Sequence, residues 1–126
     1  EVTQEHVEAY NYLVQDQERI RNTILAALLA QYKELQEDYG YDDEDSASIM
    51  PDVNDVSQFK SLIGLSTVHL MNVSKDGTAY IGYEFGCSWD DEHGLGFMTH
   101  KDRVIKIGGA DTSFLTWVAD EDLNPE

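Results

Sequence analysis

The most constraining feature of this sequence is a two-residue alternation that follows an Asp-Gly step. After Lys75, Asp76 and Gly77, the residues Ile81, Tyr83, Phe85, Cys87 and Trp89 fall on one side of an extended chain. Tyr80, Gly82, Glu84 and Gly86 fall on the other. Side chains alternate across a strand, so residues 78–89 read as one strand with its first set on a core. Asp-Gly readily takes the positive φ of a tight hairpin, which makes residues 67–73 the partner strand. The two glycines predict close approach by another element, with the long helix as the candidate. A second hairpin pairs residues 95–99 with 103–107, turning at His100, Lys101 and Asp102 and broken by Gly108 and Gly109.

The N-terminal third has a different period. Val7, Tyr10, Val14, Ile24, Leu28, Tyr32 and Leu35 recur at helical spacing, and Leu13, Ile20, Leu25 and Leu29 widen the stripe. Thr3 is the expected cap, with Glu5 in the first turn, and Gly40 the stop. The polar run Gln15, Asp16, Gln17, Glu18, Arg19 marks a kink or a break. Residues 24–29 are apolar on most sides and predict deep burial against a sheet. The acidic run Asp42, Asp43, Glu44, Asp45 reads as a solvated loop through Ser48, punctuated by Pro51, Asp52 and Asn54. Asp52 or Asn54 can cap a short helix over 56–63 that turns Val56, Phe59, Leu62 and Ile63 inward and stops at Gly64. Asp111 can cap a terminal helix carrying Phe114, Leu115, Trp117 and Val118. Residues 120–126 read as a frayed acidic tail. The sum is one α+β domain over residues 1–126. A long N-terminal helix packs on an antiparallel sheet of about four strands, with short helices beside it. The start at Glu1 reads as a fragment lacking N-terminal residues.

Charge narrows the function classes. Lys and Arg number 8 against 25 Asp and Glu, a formal net charge of −17 in 126 residues. Binding nucleic acid needs clustered cations, and an anionic membrane surface needs them too. Neither is expected as a partner. A basic protein, bound cations or plain solubility remain. Twelve of the acids lie in residues 1–45, four in 46–86 and nine in 87–126, so the acidity belongs to the ends and the loops. Cys87 is the single cysteine, which excludes an internal disulfide. With no signal peptide and no apolar run of about 18 residues, it sets the expectation of a cytoplasmic protein.

The densest cluster of chemistry-bearing side chains lies in residues 87–96: Cys-Ser-Trp-Asp-Asp-Glu-His-Gly-Leu-Gly. Three readings compete. As a metal site, Asp90, Glu92 and His93 are competent ligands for a divalent cation and the glycines admit backbone carbonyls. The spacing, however, matches neither an EF-hand loop nor a zinc helix motif. His6, His69 and His100 are dispersed along the chain, and His69 in an apolar strand reads as a structural histidine. As a catalytic site, Glu92 or Asp90 is the base and His93 its partner. Cys87 and Ser88 are then the nearby nucleophiles, but Cys87 falls on the core face where a thiol is inert. No catalytic residue is assigned. As a structural turn, Asp90 and Asp91 accept backbone N–H bonds, Glu92 or His93 pins the neighbouring hairpin, and Gly94 and Gly96 supply unusual φ angles. Trp89 covers the core edge. The third reading leads, and a tightly held loop of this kind also serves recognition.

Cys87, Trp89, Asp90, Glu92, His93, Gly94, Leu95 and Gly96 are followed by Val104, Ile107, Gly108, Gly109, Ala110 and Asp111. This pattern, C-x-W-D-x-E-H-G-L-G, is similar to that of an uncharacterised bacterial domain family. The resemblance reaches upstream to Gln4, Ala9, Tyr10, Tyr12, Leu13, Ile24, Ala27 and Tyr32. It implies additional strands before the helix and carries no activity with it. In size and charge the chain looks like the small acidic immunity proteins of bacterial toxin systems. The leading expectation is therefore a non-enzymatic module that binds a basic protein such as a toxin and holds no cofactor. The contact set is Asp42, Asp43, Glu44, Asp45, Asp90, Asp91 and Glu92, with exposed tyrosines as anchors. The runner-up is a metal-binding domain or metal-dependent hydrolase centred on Asp90, Glu92 and His93.

Overall fold

A computed structural model describes residues 2–124, apart from the side chains of Asp43 and Ser46. It contains four helices, α1 (Gln4–Gln15), α2 (Gln17–Tyr39), α3 (Asp43–Ile49) and α4 (Thr116–Leu123), and four strands, β1 (Ile63–Lys75), β2 (Thr78–Cys87), β3 (Leu95–His100) and β4 (Arg103–Gly108). Two 3-10 turns, Val56–Ser61 and Ala110–Ser113, complete it. The strands form one antiparallel sheet in the order β1-β2-β3-β4. This is the α+β class read from the sequence.

The alternation in β2 sorts two cores. Ala79, Ile81, Tyr83 and Cys87 face Ile20, Ile24, Leu28 and Tyr32 of α2, with Phe59, Trp89 and Phe97 completing the cluster. Tyr80 faces the other way, into Met71, Val73, Met98, Val118 and Ala119. Each large side chain so buried contributes about 2 kcal/mol. The β1–β2 turn has positive φ at both Asp76 and Gly77, as the Asp-Gly step requires. His100 braces this turn. Its Nε2 lies 2.9 Å from the Lys75 carbonyl and 3.2 Å from that of Thr78.

Several expectations are corrected. The polar run is a break rather than a kink, at Asp16 with φ −117° and ψ 27°, and what is overturned is the inward stripe before it. The break resets the helical phase, so α1 buries His6 and Ala9 while Val7, Tyr10 and Val14 point outward. The acidic run after Gly40 is no loop. Asp42 Oδ1 accepts the Asp45 amide at 2.9 Å and starts α3, where the helix dipole favours acidic residues in the first turn. The 3-10 turn at 56–61 is capped by Asp55, neither by Asp52 nor by Asn54. Asp55 accepts from the Ser57 amide while Gln58 reaches back to the Asp55 amide. Gly64 belongs to β1, which is longer than the expected 67–73.

The element pressed on the β2 glycines is the C-terminal segment, not the long helix. A Cβ at Gly82 would overlap the Ser113 carbonyl, whereas at Gly86 it would meet nothing within 4 Å. Gly96 faces the Gly109 carbonyl in the same way. Asp111 caps no helix by its side chain, and α4 opens at Thr116 after a 3-10 turn. Phe114 and Trp117 stay half-exposed, Phe114 in edge-on contact with His69 and Trp117 under Lys106. The acidic tail is ordered as far as α4. Asp122 accepts from Tyr80 Oη at 2.6 Å and from Arg103 at 3.1 Å. The last two residues of that expected tail, 125 and 126, lie outside the described residues.

Candidate functional site

The turn between β2 and β3 is built by Asp90. Its Oδ1 accepts the His93 amide at 2.9 Å and lies 3.1 Å from His93 Nδ1, and its carbonyl accepts the Gly94 amide at 2.9 Å. Gly94 completes the turn at φ +66°, where a Cβ would press on the Phe85 carbonyl at 2.9 Å. The preceding Trp89 is 2% exposed and meets the edge of Tyr32 with ring centroids 5.6 Å apart. Trp89 thus has the structural role expected of it. Gly94 supplies the unusual φ expected of it, whereas Gly96 does not: it lies in regular β3, and what requires a glycine there is the close approach of the Gly109 carbonyl.

Distant chain then locks onto this turn. Gly40, left-handed at φ 64°, ends α2 and turns the chain so that Tyr39 and Tyr41 stack in parallel, 6.1 Å between centroids. The Tyr39 hydroxyl donates to Asp90 Oδ2 at 2.7 Å, and that of Tyr41 to the Trp89 carbonyl at 2.5 Å. Ser88 Oγ donates to the Ile49 carbonyl at 2.7 Å, and the Ser88 amide to that of Leu62 at 2.8 Å. These bonds bring α3, which carries Glu44 and Asp45, to the same end of the molecule as Asp91 and Glu92. The two acidic segments are 45 or more residues apart in sequence, and no sequence signal links them. Only the tyrosines flanking Gly40 could have suggested it.

The expected contact residues divide by what they do. Asp90 is largely covered and fully engaged. Burial acts to raise its carboxyl, but bonds from the His93 amide, the Tyr39 hydroxyl and the His93 ring outweigh it and hold it below the usual carboxylate value. Asp91, Glu92, Asp42, Glu44 and Asp45 are exposed. The side chain of Asp43 lies outside the described residues. Tyr39 and Tyr41 are 37% and 36% exposed. The Tyr39 hydroxyl is driven well above its ordinary value by burial first and then by Asp90, so it stays a donor.

The groups considered for chemistry are otherwise occupied. Cys87 is buried, burial pushes its thiol up, and Sγ points to the Asp90 carbonyl at 3.7 Å. Ser88 is committed to Ile49. His93 and Glu92 extend into solvent, side chains 70% and 85% exposed, with His93 Nε2 3.9 Å from Glu92 Oε2. Asp90, Glu92 and His93 therefore do not converge on one point, and among the described residues no three His, Cys, Asp or Glu side chains form a metal-ligating group. His69, expected to be structural, pairs with Glu84 at 2.9 Å.

What the fold and this end of it define is an α+β domain with an acidic, tyrosine-braced turn. The chain belongs to the family described as a domain of unknown function, DUF6985, whose profile matches residues 1–115. That span holds all four strands and the acidic turn and stops before α4. No curated protein and no solved structure matches the chain. Among the described residues no helix is long and apolar enough to cross a membrane.

Proposed function

We propose that this domain is a non-enzymatic binding module for a basic protein, of the kind represented by immunity proteins that neutralise bacterial toxins. The observation that carries the reading is the pair of tyrosine bonds, Tyr39 to Asp90 and Tyr41 to Trp89. They tie the chain that leads into acidic α3 to the turn that carries Asp91 and Glu92, and leave both tyrosine rings partly exposed. Fixed acidic groups raise the association rate of a cationic partner and lose that advantage as salt screens them. The tyrosine rings add contact area at low entropic cost, and tyrosine is favoured at binding hot spots. Asp90 acts here by positioning its neighbours, and the exposed Asp91, Glu92, Asp42, Glu44 and Asp45 face the partner.

Proteins encoded beside the gene, basic toxins above all, are the binding candidates to assay. Capture should weaken steeply between low and moderate salt. Reversing the charge of Asp42, Glu44, Asp45, Asp91 and Glu92 together should abolish it, with the fold intact by circular dichroism. Recovery of no basic partner, or of one whose binding ignores the charge reversal, rejects this reading. Elemental analysis of the purified protein separates it from the competing metal-centred reading, which requires a bound cation that is lost in Glu92→Ala.

A further inference from the structure

The sheet has two edges, and they are guarded differently. β4 carries Arg103 and Lys106 along its edge, the usual protection against pairing with foreign strands. β1 carries no Asp, Glu, Lys or Arg from Ile63 to Ser74, in a chain of which these make up 26%, and its one histidine, His69, is paired inside the sheet with Glu84 of β2. Beyond Leu70 its edge is closed by α1, whose His6 Nε2 bonds the Met71 carbonyl at 2.8 Å. Among the described residues no strand lies on the outer side of residues 64–70, and Leu65 and Leu70 are 57% and 37% exposed. Leu70 joins Val2, Val7 and Tyr10 in lining an open groove under α1. This is the outward stripe that the break at Asp16 leaves without a partner.

We propose that the open edge of β1 takes an extended segment of the basic partner protein as a fifth strand. This rests on the reading of a basic partner and supplies its mode of docking. Unpaired edge N–H and C=O groups give main-chain bonds, and alternate side chains of the added strand find pockets. Here the pocket is the Leu70, Val7 and Tyr10 groove. The register between Thr67 and Leu70 is regular, with bulges on either side, so the added strand is short. Charge decides the occupant. The uncharged strip begins where Ile63 pairs with Cys87, directly before the turn bearing Asp91 and Glu92. At its far end stands α1 with the exposed Glu8. An apolar segment flanked by Lys or Arg matches this order. A second copy of the chain would bring another −17 charges to the same place.

The test is a display library of random linear peptides selected on the full chain, with the enriched peptides synthesised and mapped by amide chemical shifts. The expected peptides alternate apolar and polar residues, carry flanking Lys or Arg, and shift the amides of residues 64–70. Leu70→Lys, and independently Leu65→Lys should the first variant melt early, should weaken them about tenfold. Asp91→Lys with Glu92→Lys should remove the salt dependence while leaving the peptide on β1. An empty selection, unchanged binding to both edge variants, or self-association of the chain through residues 64–70 overturns the proposal. Peptides that are basic and shift only the acidic end overturn strand addition and leave the basic-partner reading standing. Peptides that add to β1 without basic residues and ignore the Asp91 and Glu92 reversal overturn the stated occupant and that reading together.

Discussion

The Tyr39 hydroxyl donates to Asp90 Oδ2 at 2.7 Å across 51 positions of sequence, so the C-terminal end of α2 and the β2–β3 turn stand or fall together. Asp90 also accepts the His93 amide. Hydrogen bonds to a charged acceptor are worth more than neutral ones. Asp90→Ala should therefore cost about 2 kcal/mol in urea unfolding, and Tyr39→Phe about 1 kcal/mol. The exposed Glu92→Ala, in the same turn, should stay within about 0.5 kcal/mol. Equal costs for Asp90→Ala and Glu92→Ala would remove Asp90 from its positioning role.

Acid should unlatch the molecule at two carboxylates. For Asp90 and Asp122 alike, burial acts to raise the carboxyl and is outweighed. His93 and Tyr39 hold Asp90 down, and Arg103 and Tyr80 hold Asp122 down, so both sit below the usual value. A carboxyl depressed in the folded state stabilises it above the unfolded value, about 3.9, and that contribution is lost as pH falls through the folded value. Melting temperature should hold above about pH 5 and drop progressively below about pH 4. Asp122→Asn should flatten part of that drop, and its amides in residues 116–123 should exchange faster at neutral pH. A drop of unchanged depth in Asp122→Asn would contradict this account.

Two glycines on one face of β2 provide an internal control. Gly82 lies under the Ser113 backbone, where a methyl group has no space, and Gly86 is open. Gly82→Ala should destabilise by about 3 kcal/mol, because backbone rather than a flexible side chain must move. Gly86→Ala should be neutral or gain up to about 1 kcal/mol, since glycine costs conformational entropy in a strand. Thermal or chemical unfolding of the two variants reads the contrast directly.

His6 sits at the third position of α1 with both ring nitrogens in use. Nδ1 faces the Thr3 amide at 3.1 Å, and Nε2 faces the Met71 carbonyl at 2.8 Å. An amide only donates and a carbonyl only accepts, so the neutral ring must carry its hydrogen on Nε2. Nitrogen-15 spectra should report that tautomer. His6→Ala should cost about 2 kcal/mol by freeing a cap and a buried carbonyl at once. The opposite tautomer would show that α1 does not close the strand edge.

What the sequence revealed followed from periodicity and turn chemistry. The β2 alternation, the Asp-Gly turn, the Thr3 cap and the Gly40 stop are local patterns, and local backbone preferences decide them. The left-handed turn at Gly94 was legible for the same reason, whereas Gly96 was misread as a turn glycine because its constraint is a distant carbonyl, that of Gly109. The phase slip at Asp16 was visible only as a polar run. Which side of α1 would end up outward depended on the size of that slip, which no residue type encodes. The acidic run read as a loop because its charge masked an Asp cap with Ala47 and Ile49 behind it. Asp90 looked like one acid among several. Its distinction lies in Tyr39, a partner that only folding supplies.

The excursion over residues 40–62 leaves the neighbourhood of Trp89 at Tyr41 and returns to Ser88 at Ile49 and again at Leu62. It is riveted at three points to a single turn while Asp42, Glu44, Asp45, Ala47 and Ser48 touch solvent. Its second half is anchored in the main core by Met50 and Phe59, but those five exposed residues belong to neither core. They can therefore be exchanged or recharged while the scaffold beneath stays as it is. The architecture separates what must stay constant from what can diversify, as a cassette does.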